Sequence, residues 1–551
     1  MNAASRVAQQ LRLQLWALRI VLRAGMFGLM RPDKYLRQAL VVRRYGKNPL
    51  VGLSLSAIRT PHRVAMIDDL GELSWRDLDG RADALAVALA AHGAGPGVAV
   101  GVMCRNHRGL IEALAACARI GADALLLNTG FAAPQLADVV VREAARVVIY
   151  DQEFTALFDA ARAELPALIE IIAWTDDPAA VPTGVPTIAQ LVEAHAGSRP
   201  GTVTRAGRVV LLTSGTTGTP KGASRDTAGG LVALAAMFER IPWRAGERVL
   251  IAAPGFHAFG FGQIAIASSL GCTMVVTRRF DPKRTVSLLA RHHVDGLAVV
   301  PVMLERIIDL PASVLDTYHA PRLRFVTASG SRMREDALLG FMDRFGDIVY
   351  NSYNATEVGL ISTALPADLR AEPGCAGRPV RGTRVLILDD DDRPLPIEQT
   401  GRIAVASGTI FAGYTNGDTK PFVGEYAISG DTGRFDTAGR LFVLGRDDDM
   451  IVSGGENVFP VEVERTILEH PAVRECAVVG VTDHEFGQRL VAFVVATAGA
   501  EVSPDEVRAH VRGRLAGFKV PREVTIVDEL PRNASGKVLT RELLATPTAT
   551  G

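Results

Sequence analysis

The 551-residue chain predicts an α/β fold: a large N-terminal domain of helix-covered, mostly parallel sheets with a small β-barrel-like subdomain, then a small α/β C-terminal domain. Three observations carry this. Apolar strand-like runs alternate with helical patterns through the first two thirds of the chain, an order that buries a parallel sheet beneath helices. Around 374–444 the texture changes to short strands with close turns. Beyond about residue 446 a helix–strand–strand–helix order returns.

The elements follow from local patterns. The first fifty residues carry ten Lys/Arg and one acid, Asp33. Leu11, Leu15, Leu18 and Leu22 share one face of a helix, while Arg12, Arg19 and Arg23 gather on another. Arg19 and Arg23 interrupt any apolar span long enough to cross a bilayer. With no small-residue cleavage site behind them, they also argue against a secretory signal. Residues 10–30 are therefore expected to lie on an anionic membrane surface, or to pack their leucines on the body of the protein or on a second copy in a homo-oligomer. Further on, Leu78, Leu85 and Leu89 recur at helical spacing, and Gly97–Met103 and Arg146–Tyr150 read as buried strands. Val385–Leu388, before Asp389–Asp392, typifies the short-strand region. The last part reads as helix 460–470, strand 473–481, strand 489–497 and helix 504–516. The division is a basic extension 1–50, a large domain 51–446 (β-rich over about 374–444), a small domain 447–545 and a disordered tail 546–551.

Composition narrows the class. Sixty basic and sixty acidic residues cancel, so no electrostatic footprint for nucleic acid is present. The five cysteines, Cys104, Cys117, Cys272, Cys375 and Cys476, are scattered without metal-ligand spacing and fit a reducing cytoplasm.

The densest chemical signal is Leu212-Thr213-Ser214-Gly215-Thr216-Thr217-Gly218-Thr219-Pro220-Lys221-Gly222, directly after the apolar run Val209–Leu211. Glycines let a backbone bring its N–H groups close to an anion, hydroxyls donate further bonds, and Lys221 adds positive charge. A polyphosphate is the natural ligand. A Walker A loop needs glycine immediately before the lysine. Here Pro220 precedes Lys221, which disfavours a P-loop NTPase.

The loop resembles the phosphate loop of the adenylate-forming enzymes, the superfamily of acyl-CoA synthetases, luciferases and peptide-synthetase adenylation domains. Four further segments match in order. Asn351-Ser352-Tyr353-Asn354-Ala355-Thr356-Glu357 is similar to its Tyr-Gly-x-Thr-Glu motif. The resemblance implies Tyr353 against the adenine, Thr356 on phosphate and Glu357 holding Mg²⁺, a hard cation suited to carboxylate. Asn354 stands where the family usually has glycine, and asparagine tolerates positive φ. Ser429-Gly430-Asp431 resembles Thr-Gly-Asp, whose aspartate accepts from the ribose diol. The run from Gly445 through Asn457 implies that Arg446 reaches the ribose, that Asp448 is the hinge of a mobile C-terminal domain, and that Gly454 and Gly455 lie beside the thiol acceptor. Pro531–Lys537 implies Lys537 as the catalytic lysine.

Two weaker stretches agree. Pro254–Gly260 resembles a wall of the acyl and thiol channels, with His257 at its gate, and Ser329-Gly330-Ser331 resembles the adenine contact, to which Asn351 is added. The resemblance covers roughly residues 55–544. It implies Lys537, Glu357 and Thr217 as catalytic residues, with Thr213, Ser214, Gly215, Thr216, Gly218 and Lys221 on the nucleotide.

The implied activity joins a carboxylic acid, of medium- or long-chain fatty type, to coenzyme A through an acyl-adenylate, with ATP and coenzyme A as substrates and Mg²⁺ as cofactor. The expected place is the cytoplasm, at the inner membrane surface if residues 10–30 bind there. Open alternatives are an aryl or other acid, a luciferase-like oxidation, a non-catalytic binding protein, and transfer to an acyl carrier protein. Fourteen residues follow Lys537, so such a carrier is expected to be a separate chain.

Overall fold

The structure is a computed structural model. It describes residues 3–28, 30–46, 48–213, 221–224, 230–331, 333–411, 413–414, 419–446, 450–497, 499–531, 538 and 543–544.

Two mostly parallel sheets make the large domain. In the first, Ala99–Met103, Asp123–Leu126, Ala145–Asp151, Ile169–Trp174 and Val209–Thr213 run parallel. Lys221–Ser224 and Gly413–Tyr414 extend it antiparallel. The second has nine strands among the described residues. Its parallel centre includes Arg248–Ile251, Gly296–Val299, Phe325–Ser329 and Val349–Ala355, and antiparallel strands close both edges. Asp123–Leu126 and Gly296–Val299 are buried along their whole length, as a sheet covered on both faces requires.

Helices lie between the two sheets. Val100, Val102 and Leu126 of the first sheet share one core with Met66, Val249 and Met274 of the second, through Leu114 and Ile264 on helices Arg108–Ile120 and Ala258–Leu270. Local chemistry sets the helix ends. Ser74 and Asp77 form a reciprocal capping box that starts Trp75–Ala91.

Among the described residues the β-rich region has five antiparallel strands, with Thr383–Leu388, Gly401–Ser407, Tyr426–Phe435 and Leu441–Arg446 as the longer ones. The small domain pairs Val473–Asp483 with Gly487–Ala496 and covers them with helices Pro460–Leu468 and Pro504–Arg512. The helix expected over 504–516 stops at Arg512, where Gly513 caps it.

The extension folds as α1 (Ala3–Arg23) and α2 (Pro32–Tyr45), followed by α3 (Val51–Arg59). α1 packs on helix Gly230–Arg240. Its docked face is not the leucine stripe. Ala17, Val21 and Ala24 are buried there, and Trp16 donates to Glu239 at 2.9 Å. Leu11, Leu15, Leu18 and Leu22 point away and are 42–60 % exposed. The expectation that these leucines pack on the body is therefore corrected: the helix has a second apolar face, and that one docks. Among the described residues no helix is long and apolar enough to cross a membrane.

Candidate active site

Strands Val209–Thr213 and Lys221–Ser224 pair antiparallel, with Thr213 opposite Lys221. The phosphate-type segment therefore leaves from and returns to two paired strands of the first sheet. Ser214, Gly215, Thr216, Thr217 and Gly218 lie outside the described residues, and only the backbone of Thr213 and Lys221 is described.

The remaining nucleotide candidates converge at the ends of neighbouring strands. Phe325–Ser329 ends at Gly330, whose φ of +116° is a conformation side chains rarely adopt. The parallel neighbour, Val349–Ala355, carries Asn351 and Tyr353. Asn354 donates its side-chain amide to the Ser329 hydroxyl at 2.8 Å, linking the two strand ends. The register shifts between Tyr353 and Asn354 as at a β-bulge. Asn354 is not one of the described non-glycine residues with positive φ, so the expectation of a turn that needs it is corrected. Asparagine serves here through its amide.

Tyr353 donates its hydroxyl to the carboxylate of Asp431. Asp431 is buried within strand Tyr426–Phe435, and its N–H donates to the Ser429 hydroxyl at 3.0 Å. Arg446, of which only the backbone is described, is the cross-strand partner of Asp431. Gly330, Ser331, Asn351, Tyr353, Thr356, Glu357 and Asp431 all line one cleft of about 2,670 Å³. That is larger than one small-ligand site, which is roughly 300–1,000 Å³, so several subsites are joined.

The same cleft takes in His257 and Gly455. His257 stands before helix Ala258–Leu270 and reaches across to Glu456, with Nε2 at 2.8 Å from Oε1. Asn128 donates to the other Glu456 oxygen at 3.2 Å. Gly454 and Gly455 form the turn before Glu456, with φ of +62° and +88°, and a Cβ on Gly455 would stand 3.6 Å from Val300. The small domain therefore rests on the large one through its glycine turn. Burial favours neutral His257, but the charge and hydrogen bond of Glu456 outweigh it and raise its pKa. Burial likewise raises the Glu456 carboxyl, and His257 and Asn128 overcome that and lower it.

A second contact supports the first. Buried Lys519 pairs with buried Glu462, and Gln135 of the large domain donates to the other Glu462 oxygen at 3.1 Å. Desolvation pushes the Glu462 carboxyl up despite the lysine. At the rim, Arg334 donates to His484 at 2.6 Å, and Arg306 lies over the Phe486 ring at 5.3 Å.

Sequence reading did not find Asn128, Gln135 or Lys519. No local pattern marks them: the partners of Asn128 and Gln135 lie 328 and 327 residues away. Asp448, Lys537 and the tail 546–551 fall outside the described residues.

The AMP-binding enzyme family model matches residues 53–415, and that of the AMP-binding enzyme C-terminal domain matches residues 462–537. The chain is 31% identical over 493 residues to feruloyl-CoA synthase of Amycolatopsis sp, covering 88% of this chain and 96% of that protein. It is 30% identical over 512 residues to the fatty acid–[acyl-carrier-protein] ligase ScoC of Streptomyces coeruleorubidus, covering 89% and 94%. Among solved structures, the o-succinylbenzoate CoA synthetase MenE of Bacillus subtilis, a double mutant bound to its product analogue OSB-NCoA, superposes with a TM-score of 0.78 at 26% identity, covering 90% of this chain and 98% of that one. The same enzyme with its acyl-adenylate OSB-AMP gives 0.63 at 26% identity, covering 91% and 99%.

Proposed function

The chain belongs to the AMP-binding enzyme family, and from that premise we propose that it activates a medium- or long-chain fatty acid as its acyl-adenylate and passes the acyl group to coenzyme A. An AMP-forming acyl or aryl acid ligase is the coarser class to which the relatives belong. In the first step a carboxylate oxygen bonds to the α-phosphorus of ATP and pyrophosphate leaves. In the second the thiol sulfur bonds to the acyl carbonyl carbon, AMP leaves, and the thiol proton passes to solvent. Both steps concentrate charge at fixed points, so positioning and preorganised donors carry the catalysis.

The observation that favours a hydrocarbon acid is part of the lining of the cleft: Leu55, Leu211, Leu234, Met237, Phe261 and Ile266 give it apolar walls of the kind that bury an acyl chain.

On this reading Asp431 and Arg446 hold the ribose, with Tyr353 positioned by Asp431. Thr213 to Gly218 and Lys221 hold the phosphates, and Gly330, Ser331 and Asn351 border the adenine. Glu357 and Thr356 offer hard oxygen at the cleft, a donor set that suits Mg²⁺ retaining water and phosphate ligands. When bound, that ion offsets phosphate charge. The docking of Gly454–Glu456 beside His257, together with the higher score against the OSB-NCoA complex, supports reading this arrangement as the one for thioester formation. Rotation about Asp448 would exchange it for one that brings Lys537 to the α-phosphate.

A second reading, transfer to a separate acyl carrier protein, is favoured by the resemblance to the carrier-protein ligase. The cytoplasm suits the five unpaired cysteines. Peripheral membrane contact or homo-oligomer formation would each use the exposed leucines of α1. The test is pyrophosphate release across fatty and aryl acids, with thioester formation followed on coenzyme A and on a carrier protein. Turnover of aryl acids alone would overturn the fatty-acid assignment.

A further inference from the structure

The family match begins at residue 53, so α1 and α2 lie ahead of it. They hold an unusual share of the apolar surface. Leu11, Leu15, Leu18 and Leu22 on α1 are exposed, as are Phe27 on the connection and Tyr35, Leu36, Leu40 and Val42 on α2, with Leu36 and Leu40 at 64% and 55%. Scattered apolar residues need no explanation. A set this concentrated in 32 residues does.

Charge is concentrated in the same segment. Of sixty basic residues, ten fall in the first fifty positions against one acid, which leaves fifty basic and fifty-nine acidic in the rest. Arg12, Arg19 and Arg23 are exposed on α1 beside the leucines. The lone acid, Asp33, is 3.1 Å from Arg31 and 3.6 Å from Arg37, so its charge is answered within the segment. A basic, leucine-bearing face fits an anionic apolar surface better than it fits the same face of a second copy, which would repel it.

The cleft reaches this segment: Met26, Phe27, Gln38 and Val42 line it together with the apolar residues named above, and Phe27 and Val42 are also 45% and 37% exposed, so the cleft meets the surface here. The mouth is braced. Arg59 donates to the Met26 carbonyl at 2.6 Å, Lys34 to the Arg59 carbonyl at 2.8 Å and Gln38 to the Leu55 carbonyl at 3.1 Å. α1 is fixed to the body by its opposite face, through Trp16, Ala17 and Val21, so its leucines are held outward without cost to the core.

We propose that α1 and α2 form a docking face for an anionic lipid bilayer and that the acyl channel opens in this face, between Phe27 and Val42. The acid then passes from the bilayer into the channel without crossing water. Only the channel-mouth half rests on the fatty-acid reading; the docking half does not.

The test uses the full chain with vesicles of phosphatidylcholine containing phosphatidylglycerol, and with phosphatidylcholine alone. Wild type is expected to co-sediment with the anionic vesicles at low salt and to be released at 0.5 M salt, where the screening length falls to about 4 Å. Arg12→Gln/Arg19→Gln/Arg23→Gln should bind roughly two orders of magnitude more weakly, at the usual strength of a basic side chain near such a surface. Leu15→Ser/Leu18→Ser/Leu22→Ser should lose binding with an unchanged melting temperature, because none of the three touches the docked face. If either variant melts early, Leu18→Trp supplies the reading instead: quenching by brominated lipid is expected.

Wild type that ignores anionic vesicles, variants that bind as wild type does, or an unquenched Leu18→Trp would overturn the docking face. A leucine variant that changes oligomeric mass instead would assign the stripe to a subunit contact and overturn it too. Turnover of a long-chain acid supplied in anionic vesicles should fall in both triple variants, with turnover of a short soluble acid unchanged. Equal turnover of both acids would overturn the channel mouth. Absence of turnover on any fatty acid, with sedimentation intact, would instead contradict the proposed function.

Discussion

His257 Nε2 lies 2.8 Å from a carboxylate oxygen of Glu456, 199 residues further along the chain, and this pair ties the small domain to the large one. Its chemistry makes the docking depend on pH. His257 has a raised pKa, so the pair contributes fully below the ordinary histidine value of 6.5 and is lost as pH rises through the raised one. Glu456 has a lowered pKa, so its contribution persists down through the ordinary carboxylate value of 4.5 and fails below it. Docking should therefore be firmest between these limits and loosen on the alkaline side. Fluorescence energy transfer between labels on the two domains checks this. His257→Gln should flatten the alkaline limb, and an alkaline limb unchanged in that variant would assign the effect elsewhere.

Lys519 and Glu462 are both buried, so removing one leaves the other as an uncompensated charge. Lys519→Met is expected to destabilise the small domain by about 3–5 kcal/mol. Lys519→Met/Glu462→Gln should recover most of that, since an amide at 462 can still bond Gln135. Thermal unfolding of the three proteins decides it. Equal losses in the single and double variants would mean that packing, not charge, is at stake.

Asp431 is a buried acceptor within reach of the Tyr353 hydroxyl, and its proposed partner is the ribose diol. A hydrogen bond to a charged group is worth about 1.5–3 kcal/mol, so Asp431→Ala should raise the KM for ATP roughly ten- to hundred-fold. The KM for the acid should stay nearly constant. Steady-state kinetics with each substrate varied in turn separates the two, and equal rises in both would point to a disordered cleft.

Lys537→Ala should abolish acyl-adenylate formation and spare thioester formation from adenylate supplied ready made. Single-turnover assays of the two half-reactions check the division. Equal loss in both would place the lysine in a shared role.

The parts of the fold set by local pattern were legible. Alternation gave the parallel sheets, and the strand runs 97–103 and 146–150 sit at Ala99–Met103 and Ala145–Asp151. α1 was legible as a helix, but its orientation was not. It has two apolar faces, and helix Gly230–Arg240, more than two hundred residues away, packs on the face carrying Ala17 and Val21. Asn354 misled for a related reason. A substituted glycine suggests positive φ, whereas tertiary contact with Ser329 lets the residue stay in its strand. The cleft residues from Gly330 to Asp431 were found through motifs. Asn128 and Gln135 carry no motif, because their partners exist only once two domains meet, and Lys519 carries none because its partner Glu462 lies 57 residues away within the small domain.

The central claim is activation by adenylation, and acid-dependent exchange of labelled pyrophosphate into ATP tests it most directly. With a long-chain fatty acid and no coenzyme A, exchange should proceed; adding coenzyme A should then yield AMP and the acyl thioester in equal amounts. Absence of exchange with any carboxylic acid, or formation of ADP and phosphate in place of AMP and pyrophosphate, would contradict it.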